Sequence, residues 1–155
     1  MKNSIIIGFL IALHATTVLS QDNSKLKKQV VFVCEHGGAR STIASLYFNR
    51  MAKDRNLPYE SIFRGITPDS SLSEKTKKGL TADGFDTKLL RPVMLDSSDI
   101  TARTILISLD CKLAYYRPNQ EWTGIPAISK DYDEARDEIV KKLTVLINDL
   151  QQKNK

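Results

Sequence analysis

The feature that most constrains this chain is a short apolar run that ends in a cysteine and a glycine-rich loop. Val30, Val31, Phe32 and Val33 form an uninterrupted stretch of the kind that occupies the interior of a parallel sheet. The small residues of the loop lead directly into a segment with apolar side chains at helical spacing, which ends before Pro58. The sequence therefore predicts a strand, a tight loop and a helix in immediate succession.

The loop has the spacing of an oxyanion cradle. Cys34 and Arg40 are separated by five residues, and Ser41 follows the arginine. We expect the backbone N–H groups of residues 35–40 and the N-terminus of the following helix to bind the oxygens of a tetrahedral anion. The forked guanidinium of Arg40 would close over that anion. The predicted phosphate-binding residues are Glu35, His36, Gly37, Gly38, Ala39, Arg40 and Ser41.

Cys34 stands at the end of the predicted strand, at the centre of this ring of donors. A positive field of this kind favours the thiolate, which is the nucleophilic form of cysteine. The hydroxyl of Ser41 is placed to donate to that thiolate. The predicted reaction is in-line attack on phosphorus, formation of a cysteinyl-phosphate and its hydrolysis, with Arg40 and the amides stabilising the charge of both transition states.

Residues 1–20 have the layout of a secretory signal peptide. Lys2 supplies a positive start, an apolar run covers residues 5–13, and small residues precede Gln21. The uncharged stretch is too short and too polar for a good membrane span. We therefore expect an exported protein, periplasmic or secreted, without a stable membrane anchor after cleavage. A loose lead-in over residues 21–28 and one domain over residues 29–153 would follow.

Charge and cysteine content argue against several other classes. The net charge of +5 is spread along the chain rather than massed, which argues against nucleic-acid binding. Beyond residue 20 the sequence holds two cysteines, Cys34 and Cys111, and one histidine, His36. Neither a disulfide scaffold nor a metal site is expected from so few and so widely spaced residues. No cofactor is expected.

Strands and helices alternate along the rest of the chain. Further elements are predicted as strands at residues 61–66 and 104–109, a helix at residues 73–83 and a short helical piece at residues 96–101. Residues 110–130 are predicted to form a long loop whose Tyr115, Tyr116 and Trp122 wall the pocket, unless Trp122 packs in the core. Asp131 opens the last helix as the first residue of a capping box. This alternation predicts a parallel sheet covered by helices.

Residues 31–45, VFVCEHGGARSTIAS, resemble the active-site region of low-molecular-weight protein tyrosine phosphatases and thioredoxin-type arsenate reductases. The resemblance continues weakly over most of residues 29–150, whereas the Cys34 loop is its one highly specific part. It implies an α/β fold in three layers, with a flavodoxin-like four-stranded parallel sheet and helices on both faces.

The loop departs from the family pattern at three positions. Phosphatases of the family carry an asparagine that buttresses the loop, where this chain has Gly37. Glu35 would oppose an anion if it faced inward, so we expect it to face outward or to pair with a base. Two interpretations of His36 stay open: a hydrogen-bonding group on the substrate side, or an exposed loop residue.

The general acid also departs from the pattern. In the family it belongs to an Asp-Pro pair before the last helix, and here Ala127 and Ile128 stand at that place. Asp131 and Asp133 are the nearest carboxylates. Asp131 is our candidate for the catalytic acid, although its position also fits a helix N-cap. Without a positioned acid, protonation of the leaving group would lose roughly 10²–10⁴-fold.

Cys111 follows the predicted strand at residues 104–109 and lies where arsenate reductases of this family carry a second redox cysteine. The third cysteine of that relay is missing, since Arg117 and Pro118 occupy the matching neighbourhood. A reductase would therefore need an external thiol reductant. A disulfide between Cys34 and Cys111 would switch the nucleophile off, and a buried strand-end cysteine is the structural alternative.

Three hypotheses of function follow. The first is a phosphomonoester hydrolase that uses Cys34, Arg40 and Asp131, with a phosphotyrosine protein or a phosphorylated small molecule as substrate. The second is an arsenate reductase-like oxidoreductase that uses Cys34 and Cys111. The third is a binding or sensor module for an oxyanion such as phosphate or arsenate. The first is preferred because the nucleophile and the anion clamp are both present and the third redox cysteine is not.

Overall fold

The computed structural model describes residues 28–154. They contain a sheet of four parallel strands: β1 (Lys28–Cys34), β2 (Tyr59–Gly65), β3 (Thr104–Leu109) and β4 (Gln120–Trp122). The order across the sheet is β2-β1-β3-β4. The two central strands, β1 and β3, carry runs of buried residues rather than an alternating pattern. Such runs are expected of parallel strands that are covered on both faces.

Three α-helices accompany the strands: α1 (Arg40–Asp54), α2 (Glu74–Ala82) and α3 (Tyr132–Gln152). A single turn of 3-10 helix spans Ser97–Asp99. Because β2 lies on one side of β1 and β3 on the other, the winding direction reverses at β1. In sheets of this kind, ligands bind outside the carboxyl ends of the strands at the point of reversal. Cys34 is the last residue of β1 and lies at that point.

One face of the sheet carries the main core. Phe32 of β1 packs edge-on against Phe48 of α1, with 5.7 Å between ring centroids, and against Trp122 at 5.6 Å. Leu80 of α2 and Leu143 of α3 are fully buried in the same cluster. Each large side chain of this kind stabilises the fold by about 1.5–3 kcal/mol. Trp122 is therefore a core residue and not a wall of the pocket.

The opposite face carries a thinner layer. Val31 and Val33 of β1 and Leu106 of β3 are buried there. Side chains of loops and of the segments beside the 3-10 turn cover them: Ile62, Ile66, Leu95, Ile100, Cys111, Leu113 and Tyr116. The predicted flavodoxin-like sheet with helices on both faces is confirmed, and in the part of the chain that the structure describes the helix of this second face is the single 3-10 turn.

The predicted elements and the observed ones agree closely except at β4. The strand predicted at residues 104–109 has the same bounds in β3, and the strand predicted at residues 61–66 overlaps β2. Ser73 caps α2 as expected, and Gly84 follows its end with φ +81°. The predicted long loop contains β4, which the sequence did not indicate because Gln120 and Glu121 interrupt any apolar run.

The predicted signal peptide, residues 1–20, lies outside the described residues, and so do residues 21–27 of the predicted lead-in. Both stay predictions. Lys28, which was assigned to the lead-in, is the first residue of β1. Within residues 28–154, no helix combines the length and the apolar character that crossing a membrane requires.

A buried ion pair ties the 3-10 turn to the end of β2. Nε and Nη2 of Arg64 donate to the two carboxylate oxygens of Asp99 at 2.8 and 2.7 Å. Burial by itself would raise the pKa of Asp99, but hydrogen bonds from Arg64 and from the N–H of Asp96, together with the guanidinium charge, outweigh it and lower that pKa. The carbonyl of Arg64 lies 3.2 Å from the hydroxyl of Ser41, beside the Cys34 loop.

Replacing Asp99 with Asn should lower the free energy of unfolding at neutral pH by about 3 kcal/mol, because Arg64 stays largely buried without a charged partner. The pKa of Asp99 is lower in the folded than in the unfolded chain. Its stabilising contribution is therefore complete above the unfolded value and is lost as the pH falls through the folded value. Urea unfolding from about pH 7 to about pH 3 should show the two proteins converging below about pH 4. A difference that stays constant over this range would contradict the prediction.

Candidate active site

Cys34 lies at the bottom of a cavity of about 470 Å³ at the carboxyl edge of the sheet. Cys34 is 4% exposed, so its thiol is almost wholly buried. Three segments form the walls: the Cys34 loop, the chain before and within the first turn of α2, and the chain before α3. The lining residues are Cys34, Glu35, His36, Gly38, Ala39, Arg40, Asp69, Ser73, Lys75, Ala127, Ile128 and Ser129.

Ser41 contacts the thiol directly. Its Oγ lies 3.1 Å from the Cys34 Sγ and is completely buried. The hydroxyl also lies within 3.4 Å of the Gly37 carbonyl and 3.2 Å of the Arg64 carbonyl. A hydroxyl in this position can donate its proton to a thiolate, which is the role that the sequence assigned to it.

The backbone of the loop is shaped by Gly37 and Gly38. Gly37 has φ +67°, in the left-handed region, and a Cβ added there would lie 2.9 Å from the backbone N of Gly65. A Cβ added at Gly38 would lie 2.9 Å from the carbonyl oxygen of Ser71. The Gly37 carbonyl accepts from the hydroxyl of Thr42 at 2.7 Å. The loop therefore packs backbone against backbone, which only glycine allows.

The N-terminus of α1 opens onto the loop without a side-chain cap. Its N-cap residue is Ala39, and the first main-chain bond of the helix runs from the N–H of Ile43 to the Ala39 carbonyl. The N–H groups of the first turn have no partner within the helix, as at any helix start. They are available to an anion, together with the positive end of the helix dipole.

Arg40, the predicted clamp, is held from the side by Asp110. The Arg40 Nε lies 3.7 Å from Oδ2 of Asp110, and its Nη2 donates to the Ile125 carbonyl at 3.4 Å. Nε is buried, and among the described residues it has no hydrogen-bond acceptor. Nε therefore faces Asp110 and is closed to a ligand in the cavity, whereas the two Nη atoms keep further N–H donors. The guanidinium is thus positioned beside the cradle with donor capacity to spare.

Asp110 was not found from the sequence. It follows β3 directly, has φ +47°, and its carboxylate accepts from the N–H groups of Gly124 and Ile125 at 2.9 and 3.0 Å. It therefore fixes the loop after β4 and faces Arg40 at the same time. Its place at the carboxyl end of a central strand is the signal that points to such a residue.

Glu35 and His36 stand at the exposed rim. Oε1 of Glu35 accepts from the hydroxyl of Thr67 at 3.0 Å, so the carboxylate pairs with a neutral donor. Nδ1 of His36 lies 3.2 Å from the Thr67 carbonyl and 3.7 Å from Oδ1 of Asp69. Both side chains line the cavity, as does Asp69, which the sequence did not single out.

Lys75 closes one side of the cavity. Its Nζ donates to the carbonyls of Ser129 and Lys130, at 2.8 Å each. These bonds join α2 to the segment before α3, where Ala127 and Ile128 form an apolar wall. Lys75 also went unnoticed in the sequence, because nothing local connects it to the loop.

Asp131 does not line the Cys34 cavity. It is the N-cap of α3, and its carboxylate accepts from the N–H of Glu134 at 3.0 Å. The capping interpretation is therefore the one that its contacts support. Asp133 forms an ion pair with Arg136 at 2.6 Å and also lies outside the cavity.

Cys111 packs on the face of the sheet opposite to the one that holds the Cys34 side chain. Residues alternate between faces along a strand, so Val33 and Cys34 point to opposite sides. Cys111 packs with Val33, and its Sγ lies 3.4 Å from the Val33 carbonyl. Burial raises the pKa of the Cys111 thiol to about 11, and the nearby charges of Cys34, Glu35 and Asp110 add to the rise. Both cysteines are free thiols.

No family model matches this chain, and no curated protein matches it. Solved structures do match. An arsenate reductase from Archaeoglobus fulgidus DSM 4304 is 23% identical with a TM-score of 0.60, over 77% of this chain and 98% of the other. A thioredoxin-dependent arsenate reductase from Corynebacterium glutamicum is 21% identical with a TM-score of 0.62, over 82% and 63%.

A low-molecular-weight phosphotyrosine phosphatase from Vibrio cholerae O395 has a TM-score of 0.68 at 13% identity, over 81% of this chain and 97% of the other. The chain therefore shares the fold of both classes of protein. The fold that the resemblance of the Cys34 loop implied is confirmed. Which of the two chemistries this chain performs has to be argued from its own side chains.

Replacing Gly37 with Ala should weaken the binding of inorganic phosphate by at least about tenfold, because an L-residue at φ +67° is strained and its Cβ meets Gly65. Gly84→Ala is the matched control: φ is +81° there, and within the described residues nothing lies within 4 Å of an added Cβ. Titration calorimetry with phosphate should show unchanged affinity for the control. Equal phosphate affinities of the two variants would argue against the close packing of Gly37 on Gly65.

Proposed function

We propose that this chain is a cysteine-dependent phosphomonoesterase that works through a cysteinyl-phosphate intermediate. The observation that carries the proposal is the position of the Cys34 thiol. It lines the cavity together with Arg40, 3.1 Å from the Ser41 hydroxyl and at the N-terminus of a helix whose first turn has no side-chain cap. A thiolate nucleophile and donors for three oxygens are what phosphoryl transfer requires of a protein.

In the first step the Cys34 thiolate attacks phosphorus in line with the ester oxygen. An S–P bond forms as the P–O bond to the leaving group breaks, and the bonding electrons move to the leaving oxygen. Arg40 and the free N–H groups of α1 stabilise the charge on the three equatorial oxygens. Ser41 stabilises the thiolate before attack and again when the thiolate leaves.

In the second step water attacks the cysteinyl-phosphate. An O–P bond forms, the S–P bond breaks, and inorganic phosphate leaves while the thiolate is restored. The same donors serve this step, because its transition state has the same three equatorial oxygens. The cycle consumes one water and needs no metal ion and no external electron donor.

The position of Cys111 favours this cycle over arsenate reduction. A reductase of the predicted type needs a second thiolate that attacks the adduct formed on Cys34. The Cys111 thiol instead belongs to the cluster on the other face of the sheet, and its raised pKa keeps it protonated. Both the position of Cys111 and its raised pKa disfavour attack by its thiolate on the adduct.

The cavity suits a phosphoester that is held mainly by its phosphate. Ala127 and Ile128 offer a small apolar wall, and among the residues that the structure describes no Phe, Tyr or Trp lines the cavity. Tyr115 is 94% exposed and lies away from it. We propose a phosphorylated small molecule or an exposed phosphotyrosine side chain as substrate. The signal-peptide pattern of residues 1–20 supports action outside the cytoplasm.

The decisive experiment follows release of p-nitrophenol from p-nitrophenyl phosphate by the reduced protein in the presence of a metal chelator. Cys34→Ser should abolish release, a loss of at least about 10⁴-fold, because serine is a far weaker nucleophile at neutral pH. Cys111→Ser is the matched control and should keep activity within about threefold, since in this mechanism its thiol takes no part.

Two results would contradict the proposal. One is the absence of Cys34-dependent release. The other is activity that depends on Cys111, together with loss of two thiols per chain when arsenate is added, which would mark the reductase. Phosphate binding that depends on Arg40 without any turnover would leave the oxyanion sensor as the function.

A further inference from the structure

His36 stands at the rim of the cavity on the loop that holds the nucleophile, with Asp69 beside it. We infer that His36 protonates the leaving oxygen in the first step and deprotonates water in the second, with Asp69 and Thr67 positioning its ring. This inference rests on the proposed phosphomonoesterase and names the acid that the site needs where Ala127 and Ile128 stand.

The contacts of the ring show which of its nitrogens is left for a substrate. Nδ1 lies 3.2 Å from the carbonyl oxygen of Thr67 and 3.7 Å from the carboxylate of Asp69. Both groups are acceptors, so Nδ1 carries a hydrogen. Nε2 makes no hydrogen bond within residues 28–154, and it is the nitrogen that is left to exchange a proton with a ligand in the cavity.

The backbone around the ring holds it at the rim. The N–H of Asp69 donates to the His36 carbonyl at 3.1 Å, and the N–H of Thr67 donates to the Glu35 carbonyl at 2.8 Å. Backbone hydrogen bonds thus join the segment of Thr67 and Asp69 to the loop that carries His36. The Thr67 hydroxyl holds the Glu35 carboxylate at 3.0 Å.

The other proton-bearing groups of the cavity are less suited to the task. Lys75 already donates to two carbonyls and supports the wall before α3. Glu35 and Asp69 are carboxylates, and each already accepts or faces a donor. His36 offers the one group with a free ring nitrogen and a partner on the opposite nitrogen, which is the usual arrangement of a catalytic histidine.

The proton balance of the cycle is then closed within the site. The proposed cycle requires His36 to enter the first step as an imidazolium, with a hydrogen on each nitrogen. As the S–P bond forms and the P–O bond breaks, the Nε2 hydrogen passes to the leaving oxygen, which departs as an alcohol or phenol. In the second step the neutral Nε2 takes a proton from the attacking water. The S–P bond breaks, phosphate leaves, and both the thiolate and the imidazolium are restored.

Loss of a general acid slows the reaction more when the leaving group is poorer. Loss of a structural residue slows it equally for good and poor leaving groups. The experiment therefore compares kcat/KM for phenyl phosphate and 2,4-dinitrophenyl phosphate in wild type and His36→Asn. The amide nitrogen of Asn can keep the bond to the Thr67 carbonyl but cannot transfer a proton. We expect a loss of roughly 10²-fold on phenyl phosphate and of less than about threefold on the dinitrophenyl ester.

Asp69→Asn tests the positioning role and should give a smaller loss with the same dependence on the leaving group. Asp133→Asn is the control, an exposed carboxylate outside the cavity, and should leave both rates unchanged. If His36→Asn lowered kcat/KM equally on the two esters, or on neither, the role of His36 would be overturned. Cys34-dependent release would still support the proposed function. Failure of the wild type on both esters would overturn the proposed function itself.

Discussion

The Cys34 loop rests on a contact between two glycines at the carboxyl ends of β1 and β2. A Cβ on Gly37 would lie 2.9 Å from the backbone N of Gly65, and a Cβ on Gly65 would lie 2.9 Å from the N of Gly37. The loop is thus fixed by its backbone, while the hydroxyl of Thr42 donates to the Gly37 carbonyl from the helix side. Because the fixation does not depend on side chains at the rim, Glu35 and His36 are accommodated without loss of the cradle. Gly37 has a positive φ, which glycine adopts without strain.

The parts of the structure that depend on neighbours in sequence could be predicted. The strand, loop and helix around Cys34 are contiguous, so the spacing of Cys34, Arg40 and Ser41 already contains the arrangement that the structure shows. The cap of α2 at Ser73 and that of α3 at Asp131 are local in the same sense. At Asp131 two interpretations competed, and the contacts support the helix cap. A short edge strand such as β4 gives no comparable signal, because its three residues are paired by tertiary contacts rather than by their own pattern.

The parts of the site that depend on the order of the strands could not be predicted. Asp110 meets Arg40 because β3 lies beside β1, and Asp69 meets His36 because the chain after β2 returns over the loop. Arg40 and Asp110 are 70 positions apart, and His36 and Asp69 are 33 apart. No pattern in the sequence indicates pairs at such separations. The wall of the cavity was likewise expected to be aromatic, since Trp122 lies in the segment that follows β3. The packing of Trp122 on Phe32 takes it into the core and leaves aliphatic side chains at the cavity.

The unequal cover of the two faces of the sheet sets a gradient of local stability. Within residues 28–154, the face with three α-helices holds twenty buried side chains in one cluster, whereas the other holds three beneath loops and one 3-10 turn. Amide hydrogens in the segment over Val31 and Val33 will therefore exchange with solvent through small openings that leave the helical layer intact. Cys111 belongs to the thin layer and Cys34 to the thick one. Cys111 is already partly exposed, so local openings of the thin layer will widen the access of a thiol reagent to it while the layer around Cys34 stays closed.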